Sequence, residues 1–488
     1  MDNNTHRISL QRIARRAMID RGFEPDFPST VLDELKGINA PAIYKQASAK
    51  DLRKLLWCSI DNEDSRDLDQ LSYGEQLPGN KAKILVAIAD VDALINSQST
   101  IDLHAGKNTS SIYTIAQVFP MLPEKLSTDL SSLGFNAERC AIVVEMIVGE
   151  DGTVQQSDVY CATVCNRAKL DYNKVGAWLE GNGPIPQGIA KIEGLAENIK
   201  LQDKVAQKMR ELRYEHGALD FQTIESRPVF DGDNLAEMKG QLKNRAKNMI
   251  EDFMIACNSV TAQFLATKNF PSLRRVVRTP KRWDRIIALA AEHGFKLSQE
   301  PDPKSLSDCM KYVKQNLPDH YTDMSFSILK LMGGGEYVME MPGSEPQGHF
   351  GLAVKNYAHS TAPNRRYSDL ITHRLLKSSM LSSQIPYSKE QLEIIAKNCT
   401  VKEDNAKKVE RQVEKSAHAM LMESRIGEVF DAMVSGAADK GTWIRLFNPH
   451  LEGKLTKGFN GLEVGYKLKV KLIEVDVESG FIDFEKVG

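Results

Sequence analysis

Five carboxylates are crowded into the stretch SIDNEDSRDLDQ, which runs from Ser59 to Gln70. Three of them, Asp61, Asp67 and Asp69, follow the spacing D-x5-D-x-D, and side chains two residues apart on an extended chain project to the same side. Clustered carboxylates provide the hard oxygen ligands that Mg²⁺ prefers, and without a cation they repel one another. Spacing alone leaves two interpretations open, a magnesium site and a solvated acidic turn, and it slightly favours the turn.

Two positions exclude a calcium-binding loop of the EF-hand type. Counted from Asp61, the sixth position needs glycine and holds Arg66, and the twelfth needs a bidentate glutamate and holds Ser72. We interpret the remaining acids, Glu63 and Asp64, as solvated residues without a chemical role.

Adjacent arginines form a second candidate cluster. Arg365 and Arg366 lie in TAPNRRYSDLITHR, residues 361–374, after a proline and before a predicted helix. Guanidinium groups at a helix start suit phosphate oxygens, through bidentate hydrogen bonds and the helix dipole. Taken alone, the pair is explained more simply by surface ion pairs.

A third stretch, SLRRVVRTPKRWDR at residues 272–285, has six basic residues and Trp283. It fits a wall for nucleic acid and a solvated helix end equally well, so both interpretations stay open.

Composition and charge describe an ordinary globular protein. Of the 488 residues, 42% are apolar and 26% charged, which argues against disorder and predicts two to four domains. The net charge of -2 excludes a global basic field, so any binding of nucleic acid must use local patches.

The seven scattered cysteines predict buried, reduced thiols and no disulfide framework. The N-terminal residues MDNNTHRISLQR contain no apolar leader, and no apolar run reaches the roughly 20 residues that span a bilayer. We therefore expect a cytoplasmic protein without a membrane partner.

Periodicity predicts the elements that must position these clusters. Apolar residues at helical spacing predict helices over 7–22 and 30–35 near the N-terminus, which we expect to dock on the body rather than touch nucleic acid. Buried strands are predicted at 55–60, 83–90 and 140–148, and long helices at 247–268, 367–381 and 400–425. The middle of the chain is therefore predicted to be a mixed α and β domain.

The last 64 residues predict a small antiparallel barrel, because short strands recur every 8 to 12 residues between glycine turns. VKLIEVDVESGFIDFE is its predicted closing hairpin, turning at Glu478 to Gly480. Two interpretations of three aromatic residues stay open, core packing and stacking on unpaired bases. The three are Trp443, Phe447 and Phe459. Nearby lysines would assist stacking, namely Lys454, Lys457 and Lys467.

Taken together, these pieces resemble the RNB family, the catalytic domain of RNase II and RNase R exoribonucleases. The acidic stretch is similar to that family's metal-binding motif, and five further blocks follow in the family's order: FPMLPEKLSTDLSSLGFNAER (119–139), HGALDF (216–221), MIEDFMIACN (249–258), HFGLAV (349–354) and TAPNRRYSDLITHR. The resemblance covers roughly residues 50 to 400. The tail is similar to the OB-fold RNA-binding domain of ribosomal-S-one type.

The resemblance implies an α+β architecture in three parts. An N-terminal helical segment at 1–48 precedes an RNB catalytic domain at 49–422, and an OB-fold barrel at 425–488 follows. RNase II and RNase R usually carry cold-shock-type domains before the catalytic body, and residues 1–50 are too few for one, so we expect a more open access path for RNA.

The resemblance also implies an activity, namely 3′ to 5′ hydrolysis of single-stranded RNA to nucleoside 5′-monophosphates. Asp61, Asp67, Asp69 and Gln70 are then the ligands of Mg²⁺, with Mn²⁺ as the alternative ion. Asp69 and Arg365 are expected to act in catalysis, with Arg365 at the scissile phosphate. Protein partners stay unknown at this point.

Four further residues are implied RNA contacts. Tyr113 in SSIYT matches the tyrosine that stacks on a base near the 3′ end, and Tyr172 in LDYNKV matches a second substrate-contacting tyrosine. Glu251 matches an acid near the terminal nucleotides, and Arg366 is placed with these contacts beside Arg365.

One position departs from the family pattern. The family usually has a fourth aspartate directly after the third, and here that position is Gln70, whose amide oxygen is a weaker ligand with no charge. Two alternatives to an active nuclease therefore stay open: a catalytically weakened RNA-binding protein of the same fold, and a nuclease dedicated to processing RNA 3′ ends.

Overall fold

The computed structural model describes residues 6–45, 48–221, 225–241, 243–381, 384–438, 441–449, 451–462 and 465–487. Its strands before the C-terminal region are β1 (Lys50–Asp51), β2 (Cys58–Asp61), β3 (Gln70–Gln76), β4 (Ala82–Ala89), β5 (Ile112–Tyr113), β6 (Val118–Phe119), β7 (Glu138–Val148), β8 (Val154–Cys165), β9 (Ala168–Asp171), β10 (Glu225–Asp231), β11 (Asn234–Gln241), β12 (Ser272–Val276) and β13 (Glu336–Glu340).

The helices are α1 (His6–Asp20), α2 (Ser29–Lys36), α3 (Thr100–Asn108), α4 (Tyr172–Leu179), α5 (Gln187–Ala190), α6 (Leu195–Glu215), α7 (Arg245–Thr267), α8 (Trp283–Glu292), α9 (Pro303–Asn316), α10 (Pro318–Met332), α11 (Tyr367–Met380) and α12 (Lys389–Met422). A short π-helix at Lys125–Leu130 and single 3₁₀ turns complete the body.

A seven-stranded mixed sheet in the order β1-β8-β7-β4-β3-β2-β9 forms the centre of the body. The inner strands β3, β4, β7 and β8 pair antiparallel, whereas β9 runs parallel to β2. Strand β4, with the sequence AKILVAIA, is buried along almost its whole length, as expected for an apolar run covered on both faces. The mixed α and β fold predicted from periodicity is confirmed.

Most predicted elements agree with the structure to within a few residues, with two larger differences. The strand predicted at 55–60 begins only at Cys58 and ends at Asp61. The last long helix begins at Lys389 instead of residue 400, because Ser388 and Gln391 form a capping box that starts the helix earlier.

The N-terminal helices dock on the body, as predicted. Leu10 and Ala14 of α1 are fully buried in a cluster with Val409 and Val413 of α12. Arg12, also on α1, forms an ion pair with Glu478 of the C-terminal barrel. Helix α1 therefore contacts both larger parts of the molecule.

The C-terminal strands are β14 (Val429–Ala438), β15 (Gly441–Leu446), β16 (Glu452–Lys457), β17 (Lys467–Asp476) and β18 (Phe481–Lys486). They close into a barrel in the order β14-β15-β16-β18-β17, which confirms the predicted OB-fold. The barrel is not wholly antiparallel as predicted, because β16 and β18 pair parallel. The predicted hairpin is the antiparallel pair of β17 and β18. Phe447 and Phe459 are 42% and 41% exposed, and Trp443 is partly exposed, so these aromatic residues lie outside the barrel core.

Both interpretations of the basic stretch at 272–285 are wrong for its first half. Arg274 and Arg275 lie on the fully buried strand β12 and form ion pairs with Glu340 and Glu403. Trp283 is 5% exposed and packs into the core between α8, α9 and α10. These side chains stabilise the fold and present no surface to nucleic acid.

All seven cysteines are free, and six are buried while Cys161 is partly exposed. In the part of the chain that the structure describes, no helix combines the length and the apolar character needed to cross a bilayer.

Candidate active site

Asp61 ends β2, where the chain leaves the sheet and enters the acidic loop. Its Oδ1 accepts hydrogen bonds from the backbone N of Asn62 at 2.7 Å and from Ser65 Oγ at 2.9 Å. Burial raises the pKa of Asp61, and the negative charge of Asp67 adds to this. The loop therefore orients this carboxylate and brings it within electrostatic range of a second one.

Asp69 lies at the other end of the loop, immediately before β3, and is 2% exposed. Its Oδ1 accepts from the backbone N of Asn364 at 3.1 Å, and its Oδ2 lies 3.2 Å from Nε of Arg365. Burial raises the pKa of Asp69 to about 7, against the opposing effect of the Arg365 charge. The acidic loop and the predicted arginine thus meet directly.

Arg365 is held by backbone pairing with the segment that precedes β5. The backbone N of Ser111 donates to the Arg365 carbonyl at 3.0 Å, and the N of Tyr367 donates to the Thr109 carbonyl at 2.8 Å. The Arg365 side chain is 43% exposed, so a ligand can reach its guanidinium.

Tyr113, on β5, faces the same loop. Its hydroxyl donates to Asp67 Oδ2 at 2.8 Å, and its backbone N donates to Glu410 Oε1 of α12 at 3.2 Å. Because the tyrosine is 42% exposed, one part of the ring remains open to a ligand while the hydroxyl is held. Tyr113 is therefore not a tyrosine buried within its strand.

The acidic loop is braced by the segment 119–139. Ser132 Oγ accepts from the backbone N of Leu68 at 3.0 Å and donates to the Arg66 carbonyl at 2.7 Å. The N of Leu133 donates to the Leu68 carbonyl at 3.0 Å. These contacts fix the backbone between Asp67 and Asp69, so the segment 119–139 supports the acidic loop.

Other predicted residues lie around this centre. Gln70 is the first residue of β3, is partly buried and pairs with Ile88 in β4. Tyr172 begins α4, directly after Asp171, which lies opposite Asp61 in the ladder of β2 and β9.

Two predicted RNA contacts are engaged by their own chain. Glu251 of α7 forms an ion pair with Lys243 at 2.8 Å. Arg366 donates from Nη2 to Asp369 Oδ1 at 2.8 Å, and its side chain is 24% exposed. Direct contacts therefore join Asp67, Tyr113, Asp69 and Arg365 into two pairs, whereas Glu251 and Arg366 have other partners.

The acidic loop has the type of ligand that a hard divalent cation needs, but its carboxylates do not form a complete coordination shell. Asp61, Asp67 and Asp69 are oxygen donors in one loop, and the charge of Asp67 raises the pKa of both others, a cost that a cation relieves. Across the described ranges, no group of three or more His, Cys, Asp or Glu side chains is arranged to hold a metal ion. Glu63 instead forms an exposed ion pair with Lys174.

Sequence reasoning missed three residues of the site. The backbone N of Asn364 and the carboxylate of Glu410 leave no signal in residue type or spacing. Asp369 does leave one, since an acid three residues after Arg366 at a helix start is placed to pair with it.

Fold and site together define a class of protein: a mixed α/β body with carboxylates facing an arginine and a tyrosine, followed by an OB-fold barrel. The RNB domain profile matches residues 49–382, and the profile of the RNase II-type exonuclease C-terminal S1 domain matches residues 428–487. The chain belongs to the RNB family.

Relatives and solved structures agree with this assignment. The chain is 29% identical over 502 residues to Ribonuclease R of Vibrio cholerae serotype O1, covering 95% of this chain and 60% of the relative. It is 30% identical over 444 residues to Ribonuclease R of Escherichia coli K12, covering 88% and 53%. The solved structure of Mycoplasma genitalium RNase R in complex with ribose methylated single-stranded RNA is similar in fold, with a TM-score of 0.88 at 23% identity over 99% of this chain and 79% of that one. The chain thus spans little more than half the length of these curated relatives.

Proposed function

We propose that this protein is a 3′ to 5′ exoribonuclease that hydrolyses single-stranded RNA to nucleoside 5′-monophosphates. The observation that carries the proposal is the contact between Asp69 and Arg365, which joins the acidic loop to an accessible phosphate-binding group across 296 residues. Membership of the RNB family and the fold shared with an RNA-bound RNase R support it.

The proposal includes Mg²⁺, with Mn²⁺ as the alternative ion. Asp61, Asp67, Asp69 and the amide oxygen of Gln70 are the residues that would hold it. When bound, such an ion supplies an activated water and charge for the leaving 3′-oxygen.

The chain's own residues supply the other parts of the reaction. Arg365, half exposed and aligned by Asp69, neutralises charge that develops on the phosphate oxygens during attack. Tyr113 offers a ring face to a base, and stacking of this kind tolerates any sequence. Its hydroxyl contact with Asp67 fixes the distance between the base-stacking ring and the carboxylates.

The test is degradation of 5′-labelled single-stranded RNA in the presence of Mg²⁺ by the wild type and by Asp69→Asn. We expect a descending ladder from the wild type and a loss of at least about 100-fold in kcat for the variant, because catalysis by ion and arginine both depend on this carboxylate. Glu63→Gln is the matched control, since it removes a charge from the same loop at an exposed position, and it should leave the rate within a factor of about two.

Other outcomes have definite meanings. Intact RNA together with retained binding contradicts the proposal and supports an RNA-binding protein of the same fold. A ladder confined to particular 3′ tails supports a processing nuclease. The cytoplasmic location stays a prediction.

A further inference from the structure

The turn at residues 362–366 presents Arg365 to Asp69, and hydrogen bonds to a single backbone carbonyl close it. The backbone N atoms of Arg365 and Arg366 both donate to the Ala362 carbonyl, at 3.2 and 2.9 Å. Within this turn the backbone N of Asn364 and Nε of Arg365 make the two contacts to Asp69. The shape of the turn therefore decides where the Arg365 guanidinium lies.

Asp369, in the first turn of α11, holds both ends of this turn with one carboxylate. Its Oδ1 accepts from the backbone N of Ala362 at 2.9 Å and from Nη2 of Arg366 at 2.8 Å. Its Oδ2 accepts from Ser368 Oγ at 3.1 Å. The side chain is 0% exposed, so these contacts have no competition from water.

Arg366 is the side chain that Asp369 binds in this turn. Its Nη2 lies 2.8 Å from Asp369 and 3.4 Å from Thr361 Oγ1, and its side chain is about half as exposed as that of Arg365. Of two adjacent arginines, the first is thus presented outward while the second is bound to its own chain.

We infer that Asp369 is a positioning residue for the hydrolysis, acting on the phosphate through Arg365 and without touching RNA. The inference rests on the proposed function. A shift of about 1 Å in a group that stabilises developing charge is enough to cost about 100-fold in rate, so loss of the brace should lower kcat and leave KM nearly unchanged.

The experiment measures kcat and KM of Asp369→Asn on 5′-labelled single-stranded RNA with Mg²⁺. We expect kcat to fall about 10- to 100-fold and KM to change less than about three-fold, because the amide weakens the hold on Arg366. The matched control is Asp102→Asn. Asp102 is also 0% exposed and pairs with α11, through Arg374 at 2.8 Å, and it also contacts the side chain of Tyr367, one residue beyond the turn. It should leave kcat within about three-fold of the wild type.

A double variant separates positioning from general damage to the fold. If Asp369 acts through Arg365, adding Asp369→Asn to Arg365→Ala should cause almost no further loss of kcat. An equal loss in both backgrounds, or the same loss in Asp102→Asn, overturns the inference. If Asp369→Asn does not fold, Asp369→Glu keeps the charge and is expected to give the same non-additive loss.

Hydrogen exchange gives a readout that does not depend on activity. The amides of the turn at 364–366 should exchange at least about 10-fold faster in Asp369→Asn and at the wild-type rate in Asp102→Asn. Unchanged exchange in Asp369→Asn overturns the inference even if the protein is an active nuclease. If the wild type cleaves no RNA while the exchange rises as expected, the proposed function fails and the brace on the turn stands.

Discussion

Single residues in the acidic stretch have different environments, although their types are similar. Asp69 is buried against Arg365, Asp67 accepts from Tyr113, and Glu63 is paired at the surface with Lys174. Burial and partner, rather than the number of acids, separate the residues that can do chemistry from those that are solvated. At the end of this stretch lies Gln70, the position that we predict to depart from the family pattern.

Replacing Gln70 by aspartate adds the charge that the resemblance predicts at this position. We expect Gln70→Asp to lower the Mg²⁺ concentration that gives half-maximal activity, because a carboxylate binds a hard cation more strongly than an amide oxygen does. A titration of RNA cleavage against Mg²⁺ checks this, with Gln76→Asp at the exposed end of the same strand as the control. An unchanged Mg²⁺ requirement would refute the idea that this glutamine limits metal affinity.

At the scale of elements, buried ion pairs tie adjacent strands and helices together. On β12, Arg274 lies 2.9 Å from Glu340 of β13, and both side chains are almost fully buried, at 5% and 11% exposure. Burial lowers the pKa of Arg274, and the Glu340 carboxylate opposes that effect. The pair therefore adds a side-chain contact between the paired strands β12 and β13.

Removing one partner should therefore be costly. We expect Glu340→Ala to lower the free energy of unfolding by about 3 to 5 kcal/mol, because it leaves the Arg274 charge buried without compensation. Urea denaturation checks this against Asp323→Ala, which breaks the more exposed pair with Arg445 and should cost at most about 1 kcal/mol. Equal losses of unfolding free energy in the two variants would show that the buried pair stabilises the fold no more than the exposed pair does.

Elements were largely predictable from the sequence, whereas contacts between them were not. The apolar run at 83–90 and the periodic segment at 367–381 predicted β4 and α11 almost to the residue. By contrast, nothing local indicates that Asp69 meets Arg365, since the contact spans 296 residues and depends on the assembled sheet. Likewise, Arg274 and Arg275 have the composition of an exposed basic patch, and only the partners on other elements bury them.

Across the whole molecule, histidines in separate parts of the fold share one property. Burial lowers the pKa of each of five: His104, His349, His359, His373 and His418. For His349 the pKa falls to about 4, and the nearby Arg275 charge contributes. The backbone N of Leu352 donates to its Nδ1 at 3.2 Å, which also requires the neutral ring.

These shifts predict that acid destabilises the fold through its histidines. Between pH 6.5 and 4 the unfolded chain binds a proton at His349 that the folded chain does not, so this contribution is complete above about pH 6.5 and is lost as the pH falls. We expect the free energy of unfolding of the wild type to decrease relative to His349→Gln between pH 7 and pH 5, measured by urea denaturation. A constant difference between the two proteins would contradict the lowered pKa.

Helix α12 connects several parts of the molecule. Its 34 residues form a rod about 51 Å long that supplies side chains to three of the apolar cores, and its last turns pack on the barrel. Near its middle, Glu410 holds the strand that carries Tyr113. The barrel and the strand of Tyr113 are thus both attached to this one helix, and their separation is fixed unless the helix bends or frays. Under the proposed function, we expect successive nucleotides to slide past a barrel and a tyrosine held at a constant separation, without a swing of the barrel.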